Sequence, residues 1–475
     1  MRECTTEGAC YGPPPVSSAP SEKTSSAGIR ELLLLAWPVV ISRATQSIVG
    51  FSDAVMVSPL GNDAIAATTT GALNVFSLLI FPMGLVFIVQ SFSAQLHGKG
   101  DAAGARRYAL YGLVVAAALE VLGLALMPYV GSMLSVFGYS PEVRGLMGEY
   151  LAIRFTTAGV IIATEALANY YGGLGNTRLP MIANLVTMVT NVGLNWVFIG
   201  GHLGAPALGV AGAALASAIA PCLGFALIAY VFVAEGRRLP AAPSPLRLAE
   251  LVRMCRFGLP NGANWFLEFG AFSFFINFIV ADLGTLPLAA VMAVFQINSV
   301  SFMPAFGLAS SGAILVGQAI GRGEKDAVAA IVRRTASVAA AWQLVVGACY
   351  LLFPAVIMSV FAQGEGGSED IVRLGAVLLG ISVFWQLFDG AGMTLSEALR
   401  AAGDTAWSLA ARVLLAWFLW VPASYVAVDV MQGGVVAAML SIVGYIVVLC
   451  VILLFRFRSG AWRRIDLTGT EEALI

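Results

Sequence analysis

The sequence predicts an all-α polytopic membrane protein with twelve transmembrane helices in two pseudo-symmetric six-helix bundles. Three observations support this prediction. First, 59% of the 475 residues are hydrophobic and only 11% are charged, with a mean hydropathy of +0.86, which excludes a water-soluble globular fold. Second, apolar runs long enough to cross a bilayer recur between residues 29 and 457. Third, the two halves of the chain share motifs at a nearly constant offset.

Each apolar window is bounded by Gly, Pro or charged residues, which mark the ends of helices. A membrane β-barrel would instead show segments of about ten residues with alternating hydrophobicity. We therefore predict helical spans over residues 30–57, 64–95, 108–137, 148–173, 179–200, 208–234, 255–281, 286–319, 333–361, 372–399, 407–429 and 434–455.

Lys and Arg between the spans set the expected orientation, because they concentrate on the cytoplasmic side. They cluster in the N-terminal tail, after the even-numbered spans and at the C-terminus, whereas only Arg144 and Arg373 lie in the opposite connections. We expect a multi-pass protein of the bacterial inner membrane with both termini cytoplasmic. The predicted organisation is a disordered tail without a signal peptide (1–28), a first lobe (29–234), a cytoplasmic linker (235–254), a second lobe (255–457) and a cytoplasmic C-terminal tail (458–475).

The internal repeat has an offset of about 222 to 228 residues. Matching segments include Trp37-Pro38 with Leu259-Pro260, Phe81-Pro82 with Met303-Pro304, Gln95 to Gly100 with Gln318 to Gly323, and Ala213 to Ser217 with Ala437 to Ser441. Six spans per repeat place both halves the same way up, around a central cleft, and two such bundles can rock against each other. A proline inside a helix acts either as a hinge or as a fixed kink. The candidate hinges are Pro38, Pro82, Pro260 and Pro304. A static channel or scaffold is the alternative, but no charged ring or filter-like loop is present in the sequence.

Several other classes of protein are excluded by composition and motifs. The balance of 26 Lys and Arg against 27 Asp and Glu is not that of a nucleic-acid binder. The six cysteines form no CxxC pair and there are only two histidines, so neither a disulfide framework nor a metal cluster is predicted. Catalytic and ATP-binding motifs such as HExxH and GxxxxGK[ST] are missing. We expect no enzymatic activity and no cofactor, and an ion gradient as the energy source.

Carboxylates inside the predicted spans are the main functional candidates, because an intramembrane charge costs at least about 2.5–3.5 kcal/mol on insertion scales. In the seventh span, Asn261, Asn264 and Glu268 share one helical face, and Gln386 and Asp389 share a face of the tenth. Glu268 and Asp389 could jointly hold a sodium ion or exchange a proton, and Asn264 and Asn298 could supply further amide oxygens to sodium. The alternative is a set of structural hydrogen bonds between helices.

The first half has an acidic site of its own. Gln46 and Asp53 face the same way in the first span, and Asn184, Asn191 and Asn195 form a stripe in the fifth. Gln46 occupies the repeat position of Glu268, so the two lobes are not chemically equivalent. Asp53 is either a second coupling or substrate site or a carboxylate that reaches the outer water.

The remaining intramembrane charges suggest structural roles. We expect interhelical pairing or snorkelling for Glu120, Glu165, Arg43, Arg154 and Arg412, and an ion pair between Glu397 and Arg400. Aromatic and Met side chains that line the cleft would suit flat, amphipathic, often cationic ligands.

In combination, several motifs resemble those of the multidrug and toxic compound extrusion (MATE) transporters. These motifs are Trp37-Pro38, Gly50-Phe51-Ser52-Asp53, Gln95 with Gly98-Lys99-Gly100, Asn191 to Trp196, Phe266-Leu267-Glu268, Phe388-Asp389-Gly390, and Leu399 to Thr405. The resemblance covers residues 30–457. It implies an exporter of small organic cations and amphipathic drugs, embedded in the bilayer and driven by Na+ or H+. We expect the protein to be a monomer.

The bacterial NorM-like branch of this family is the most similar. The resemblance implies a cation site at Glu268 and Asp389, and it implies that Asp53 corresponds to the protonation site of DinF-like and archaeal members. Archaeal members have an Asp where this chain has Asn195, which favours a second-lobe cation site here, with sodium preferred to a proton. A flippase for lipid-linked oligosaccharides or other lipids from the same superfamily is the alternative. Such a flippase would be expected to line its cleft with Arg and Lys.

Overall fold

The computed structural model describes residues 25–135, 138–237, 245–361 and 368–469. The described residues hold eleven helices long and apolar enough to cross a membrane, and a bent helix pair forms a twelfth span. This confirms the predicted fold class; most of the predicted N-terminal tail lies outside the described residues. The spans α1–α12 are Ser25–Val57, Asn62–Gly98, Ala102–Leu134, Pro141–Phe155 with Ala158–Gly173, Arg178–Gly200, Val210–Gly236, Leu248–Leu283, Thr285–Gly321, Val328–Leu352, Ser368–Ala401, Thr405–Val430 and Gly434–Arg458.

The spans pack into two lobes, α1–α6 and α7–α12, and each lobe has a largely separate apolar core. In the first core Phe92 stacks on Tyr108 with ring centroids 4.0 Å apart, and in the second Trp420 stacks on Tyr445 at 5.0 Å. Large apolar side chains also point outward, for example Phe418, which is 73% exposed. An outward apolar surface on a helical bundle is what contact with lipid requires.

The fourth span differs from the single helix predicted over 148–173. It consists of two helices that meet at an angle of 48°, and the break falls at Thr157, whose φ of −134° and ψ of 16° are not helical. Thr is a weak helix former because its β-branch restricts the side chain. The break is stabilised by Glu120 of α3, whose carboxylate accepts a 2.5 Å hydrogen bond from the Gly159 N–H. This contact gives Glu120 the interhelical role that we predicted.

Several other boundaries differ from the prediction, and for two of them the structure shows the reason. Helix α7 begins at Leu248 rather than at 255, because the Glu250 carboxylate in its first turn accepts hydrogen bonds from Arg107 Nε at 3.0 Å and from Tyr111 Oη at 2.8 Å. Helix α9 ends at Leu352 rather than at 361. The helix stops there because Pro354 disfavours a helical conformation at the preceding Phe353, which adopts φ −129° and ψ 40°.

The close contacts between the lobes concentrate in the half of the bundle nearer the terminal face, which we define as the face where α1 begins, α6 ends, α7 begins and α12 ends. Nearer the other face, the rings of Phe76 in α2 and Phe269 in α7 touch edge to face, with centroids 5.8 Å apart. Glycines allow the close approach: a Cβ on Gly84 of α2 would lie 2.8 Å from the Gly262 Cα of α7, and a Cβ on Gly317 of α8 would lie 2.7 Å from the Ala94 Cβ of α2. Among the described residues, every hydrogen bond between the lobes also lies in this half. Hydrogen bonds therefore hold the lobes together on the terminal face.

Candidate ion and substrate sites

The first-lobe acid is held in a closed set of hydrogen bonds. Asp53 of α1 is only 7% exposed. Its Oδ1 accepts a 2.5 Å hydrogen bond from Asn195 Nδ2, and its Oδ2 accepts a 3.0 Å bond from Ser217 Oγ. Asn191 Nδ2 donates to Ser217 Oγ at 3.1 Å and its Oδ1 accepts from Asn195 Nδ2 at 3.2 Å. The structure thus brings the predicted acid together with two of the three asparagines of the α5 stripe.

A cavity of about 310 Å³ adjoins this acid. Apolar side chains such as Phe76 and Leu79 line part of it, and its polar lining includes Gln46, Asp53 and Asn184. Asn184, the third member of the predicted stripe, donates to Ser42 Oγ at 2.5 Å. The combination of a large apolar wall and a few polar groups is typical of sites for organic ligands.

The cavity is not purely acidic, because its carboxylates have cationic neighbours. Glu165, which also lines the cavity, forms a 3.0 Å ion pair with Arg43 of α1. The Arg154 guanidinium donates to the Ser217 carbonyl and acts electrostatically on Asp53. Both arginines therefore interact with other helices, as the sequence predicted.

The second-lobe site pairs one carboxylate with a guanidinium, and a second carboxylate lies within electrostatic range of both. Arg412 Nη1 of α11 lies 2.6 Å from Glu268 Oε1 of α7, and the two side chains are 12% and 39% exposed. The Trp417 indole N–H fixes the same pair of helices by donating to the Leu267 carbonyl at 3.1 Å. Asp389 of α10 lies within electrostatic range of both Glu268 and Arg412. The predicted acid pair is therefore present, together with a cation that belongs to the protein.

The predicted amides of the second lobe do not form one site. Asn261 donates at 2.6 Å to the Gly84 carbonyl of the first lobe. Asn298 accepts a hydrogen bond from Gln386 Nε2. Among the described residues, the Asn264 side-chain oxygen has no hydrogen-bond partner although it is buried. The Gln386 side-chain oxygen is also buried without a partner among these residues. Two of the four amides thus keep a free oxygen, and that of Asn264 belongs to the residue one turn from Glu268.

The lobe interface contains a buried network that the sequence indicated only in part. The predicted pair of Arg400 and Glu397 is confirmed at 2.5 Å, with 4% and 9% of the side chains exposed. The same guanidinium reaches the other lobe, where it donates to Gln90 Oε1 at 2.6 Å and to Ser91 Oγ at 2.9 Å, and lies 4.2 Å from the centre of the Phe87 ring. The interlobe contacts of Arg400 were not predicted, because they join residues more than 300 positions apart.

Ser217 was also missed as a partner of Asp53. The repeat contained the signal, since Ser217 and Ser441 end the matching segments in α6 and α12. Ser441 makes a different contact, a 2.7 Å hydrogen bond with Ser424. The four candidate hinges, Pro38, Pro82, Pro260 and Pro304, all lie inside helices, and their role as hinges stays a prediction.

Sodium at Glu268 and Asp389 also stays a prediction. In the described part of the chain, Glu268 and Asp389 belong to no group of three or more His, Cys, Asp or Glu side chains that could hold a metal ion. A sodium ion there would need additional neutral oxygens, and the free Asn264 oxygen is one chemically suitable donor.

Two lobes of six membrane-spanning helices, with buried charged sites in each lobe, define a two-lobed membrane transporter. The chain belongs to the MatE family, the multidrug and toxic compound extrusion transporters, whose sequence profile matches residues 38–197 and again residues 266–426. One match falls in each lobe, in agreement with the repeat.

Named relatives support the NorM-like branch. The chain is 28% identical over 401 residues to the probable multidrug resistance protein NorM of Pseudomonas aeruginosa, covering 83% of this chain and 82% of the relative. It is 25% identical over 442 residues to the probable multidrug resistance protein NorM of Thermotoga maritima, covering 92% and 93%.

Solved structures share the fold. The chain is similar to a multidrug resistance MATE family transporter in an outward-facing conformation, with a TM-score of 0.83 and 21% identity over 92% of this chain and 97% of that structure. It is also similar to a MOP superfamily transporter from Pyrococcus furiosus, with a TM-score of 0.81, 21% identity and the same coverage.

Proposed function

We propose that the protein is a secondary active multidrug efflux antiporter of a bacterial inner membrane. In this proposal it exports organic cations and amphipathic drugs in exchange for Na+ or H+. The observation that carries the proposal is the set of three intramembrane carboxylates, Asp53 beside a ligand-sized cavity and Glu268 with Asp389 in the second lobe. Carboxylates in this environment can bind a cation or a proton reversibly, and relatives named as multidrug resistance proteins support drugs as the cargo.

The ion gradient supplies the energy in this proposal. One elementary charge that moves through 100 mV releases about 2.3 kcal/mol. Most Lys and Arg between the spans lie on the terminal face, so the positive-inside rule places that face and both termini in the cytoplasm. In this proposal the lobes, joined by hydrogen bonds on the terminal face, separate there during each transport cycle so that the sites become accessible from the cytoplasm. We propose that one copy of the chain suffices, because each lobe carries its own site.

Cells that lack their own efflux pumps provide the test. Glu268→Gln, Asp389→Asn and Asp53→Asn are each expected to impair ethidium efflux, while the amount of protein in the membrane stays near that of the wild type. Arg322→Gln, which alters an exposed ion pair with Glu324, is the matched control and should efflux normally. Full activity in all three acid variants would contradict the proposal.

A lipid flippase is the second candidate, and one observation favours it. Arg154 lines the first-lobe cavity and Arg43 pairs with a cavity residue, and arginines would suit a lipid phosphate. The paired Glu165 and the nearby Asp53 weigh against an anionic headgroup. Translocation of a fluorescent phospholipid in proteoliposomes, without efflux of ethidium, would favour the flippase.

A further inference from the structure

Glu268 already has a cationic partner within the protein. The 2.6 Å contact with Arg412 joins α7 to α11, and the guanidinium is the more buried of the two groups. A positive charge held at this distance offsets the charge of the carboxylate. An external cation that used Glu268 as a direct ligand would therefore have to share a carboxylate whose charge the tethered guanidinium already offsets.

Asp389 differs from Glu268 in this respect. Within the described ranges it makes no hydrogen bond and no ion pair, yet both Glu268 and Arg412 act on it electrostatically. With all three groups ionised, the second-lobe site carries one net negative charge, and the free carboxylate that could accept a compensating cation is Asp389.

Two polar groups of the second-lobe site have unmade hydrogen bonds. Arg412 Nε is buried and has no hydrogen-bond partner among the described residues, and the same is true of the Tyr445 hydroxyl. Tyr445 lies within electrostatic range of Glu268, Asp389 and Arg412. Arg412 and Tyr445 therefore each keep an unmade hydrogen bond in the neighbourhood of the two carboxylates.

We propose that Arg412 is a built-in counterion that occupies Glu268 and thereby leaves Asp389 free for the exchanged ion. Glu268 is then a positioning residue: it acts by holding the guanidinium away from Asp389 and does not bind the exchanged ion. This inference rests on the proposed ion-coupled efflux and assigns different tasks to its two second-lobe acids.

The two possible roles of Glu268 predict opposite results for a double variant. If Glu268 binds the exchanged ion directly, then loss of Glu268 abolishes coupling whether or not Arg412 is present. If Glu268 only holds Arg412, then in Glu268→Gln the released guanidinium turns to Asp389 and blocks it. Removal of the guanidinium as well should restore a free Asp389.

The first experiment measures ethidium efflux from proteoliposomes under whichever gradient, Na+ or H+, drives the wild type. We expect Glu268→Gln to be slower by at least about tenfold, and the double variant Glu268→Gln/Arg412→Gln to recover to within about threefold of the wild type, since contacting charges couple by such factors. Two controls should stay slow: Glu268→Gln/Arg412→Lys, which keeps the charge, and Glu268→Gln/Arg43→Gln, which removes a first-lobe arginine. A double variant as slow as Glu268→Gln, or a fully active Glu268→Gln, would overturn the inference.

A second measurement separates this inference from the proposed function, because it needs no transport. In detergent, Asp389→Asn should lower the thermal unfolding midpoint more in the Glu268→Gln background than in the wild type, since only there does Asp389 pair with Arg412. Equal effects in both backgrounds would overturn the inference. Failure of the wild type to move ethidium under either gradient would count against the proposed function, and this stability comparison would still decide the role of Arg412.

Discussion

Gln95 at the end of α2 and Gln318 at the end of α8 occupy equivalent repeat positions and make reciprocal contacts across the lobe interface. Gln95 Nε2 donates at 2.7 Å to the Ala401 carbonyl at the end of α10, and Gln318 Nε2 donates at 3.0 Å to the Gly173 carbonyl at the end of α4. Each side chain satisfies a helix-terminal carbonyl of the opposite lobe. The closed terminal face is therefore held by a pseudo-symmetric pair of bonds.

Removal of both amides should favour opening of this face. A net hydrogen bond contributes about 0.5–1.5 kcal/mol, so Gln95→Leu/Gln318→Leu should raise the open-to-closed ratio at least about twofold. Distances between spin labels on Lys99→Cys and Arg322→Cys, two exposed positions at the ends of α2 and α8, would measure the ratio. Gln296 is exposed, so Gln296→Leu is the control and should leave the distance distribution unchanged. An unchanged distribution in the double variant would show that the glutamines do not hold the face closed.

Arg400 should matter more for stability than any exposed arginine. Its guanidinium is 4% exposed and binds both Glu397 and the other lobe, and breaking a buried pair costs about 3–5 kcal/mol. Arg322 pairs with Glu324 at the surface, with 47% and 53% of the side chains exposed, and such a pair contributes at most about 1 kcal/mol. In detergent, the thermal unfolding midpoint of Arg400→Gln should be well below that of Arg322→Gln. Equal midpoints would refute this role of Arg400.

The glycine contact between α2 and α7 predicts a steric effect. A Cβ at Gly84 would lie 2.8 Å from the Gly262 backbone, so Gly84→Ala should destabilise the protein by about 1–3 kcal/mol through overpacking. Gly145 in α4 has nothing within 4 Å of its Cβ position, and Gly145→Ala should be neutral or stabilise by up to about 1 kcal/mol. Both effects can be read from unfolding midpoints, and a neutral Gly84→Ala would mean that the lobes adjust their spacing freely.

Ser217 and Ser441 provide a matched pair for the first-lobe site. Ser217 Oγ donates to Asp53, whereas Ser441 bonds to Ser424. A hydrogen bond to a charged group contributes about 1.5–3 kcal/mol, so Ser217→Ala should change the ion or drug dependence of ethidium efflux, whereas Ser441→Ala should alter stability alone. The same change in both variants would remove the special role of Ser217.

Local sequence patterns predicted the fold well because a membrane span is a local property. Hydropathy identified the spans, and the offset between Pro38 and Pro260 revealed the repeat before any contact was known. The break at Thr157 was missed because it depends on Glu120 of another helix, whose carboxylate accepts a hydrogen bond from the Gly159 N–H at the start of the second half of the span.

The sequence predicted which residues belong to the candidate sites, but it did not predict all of the contacts between them. The helical faces of Asn191 and Asn195 indicated their approach to Asp53, since their spacing brings them to one side of α5. The partner of Arg412 could not be read from the sequence, because Glu268 lies 144 residues away on a different helix. Such a pairing depends on how the helices pack, which periodicity alone does not determine.

The most direct test of ion-coupled efflux is transport of ethidium in proteoliposomes that carry either a sodium gradient alone or a pH gradient alone. We predict efflux driven by the sodium gradient in the wild type, and its loss in Asp389→Asn, with the variant inserted and folded. Efflux driven by the pH gradient that survives Asp389→Asn would move the coupling site to Asp53. No efflux under either gradient, in protein that is correctly folded, would contradict the account.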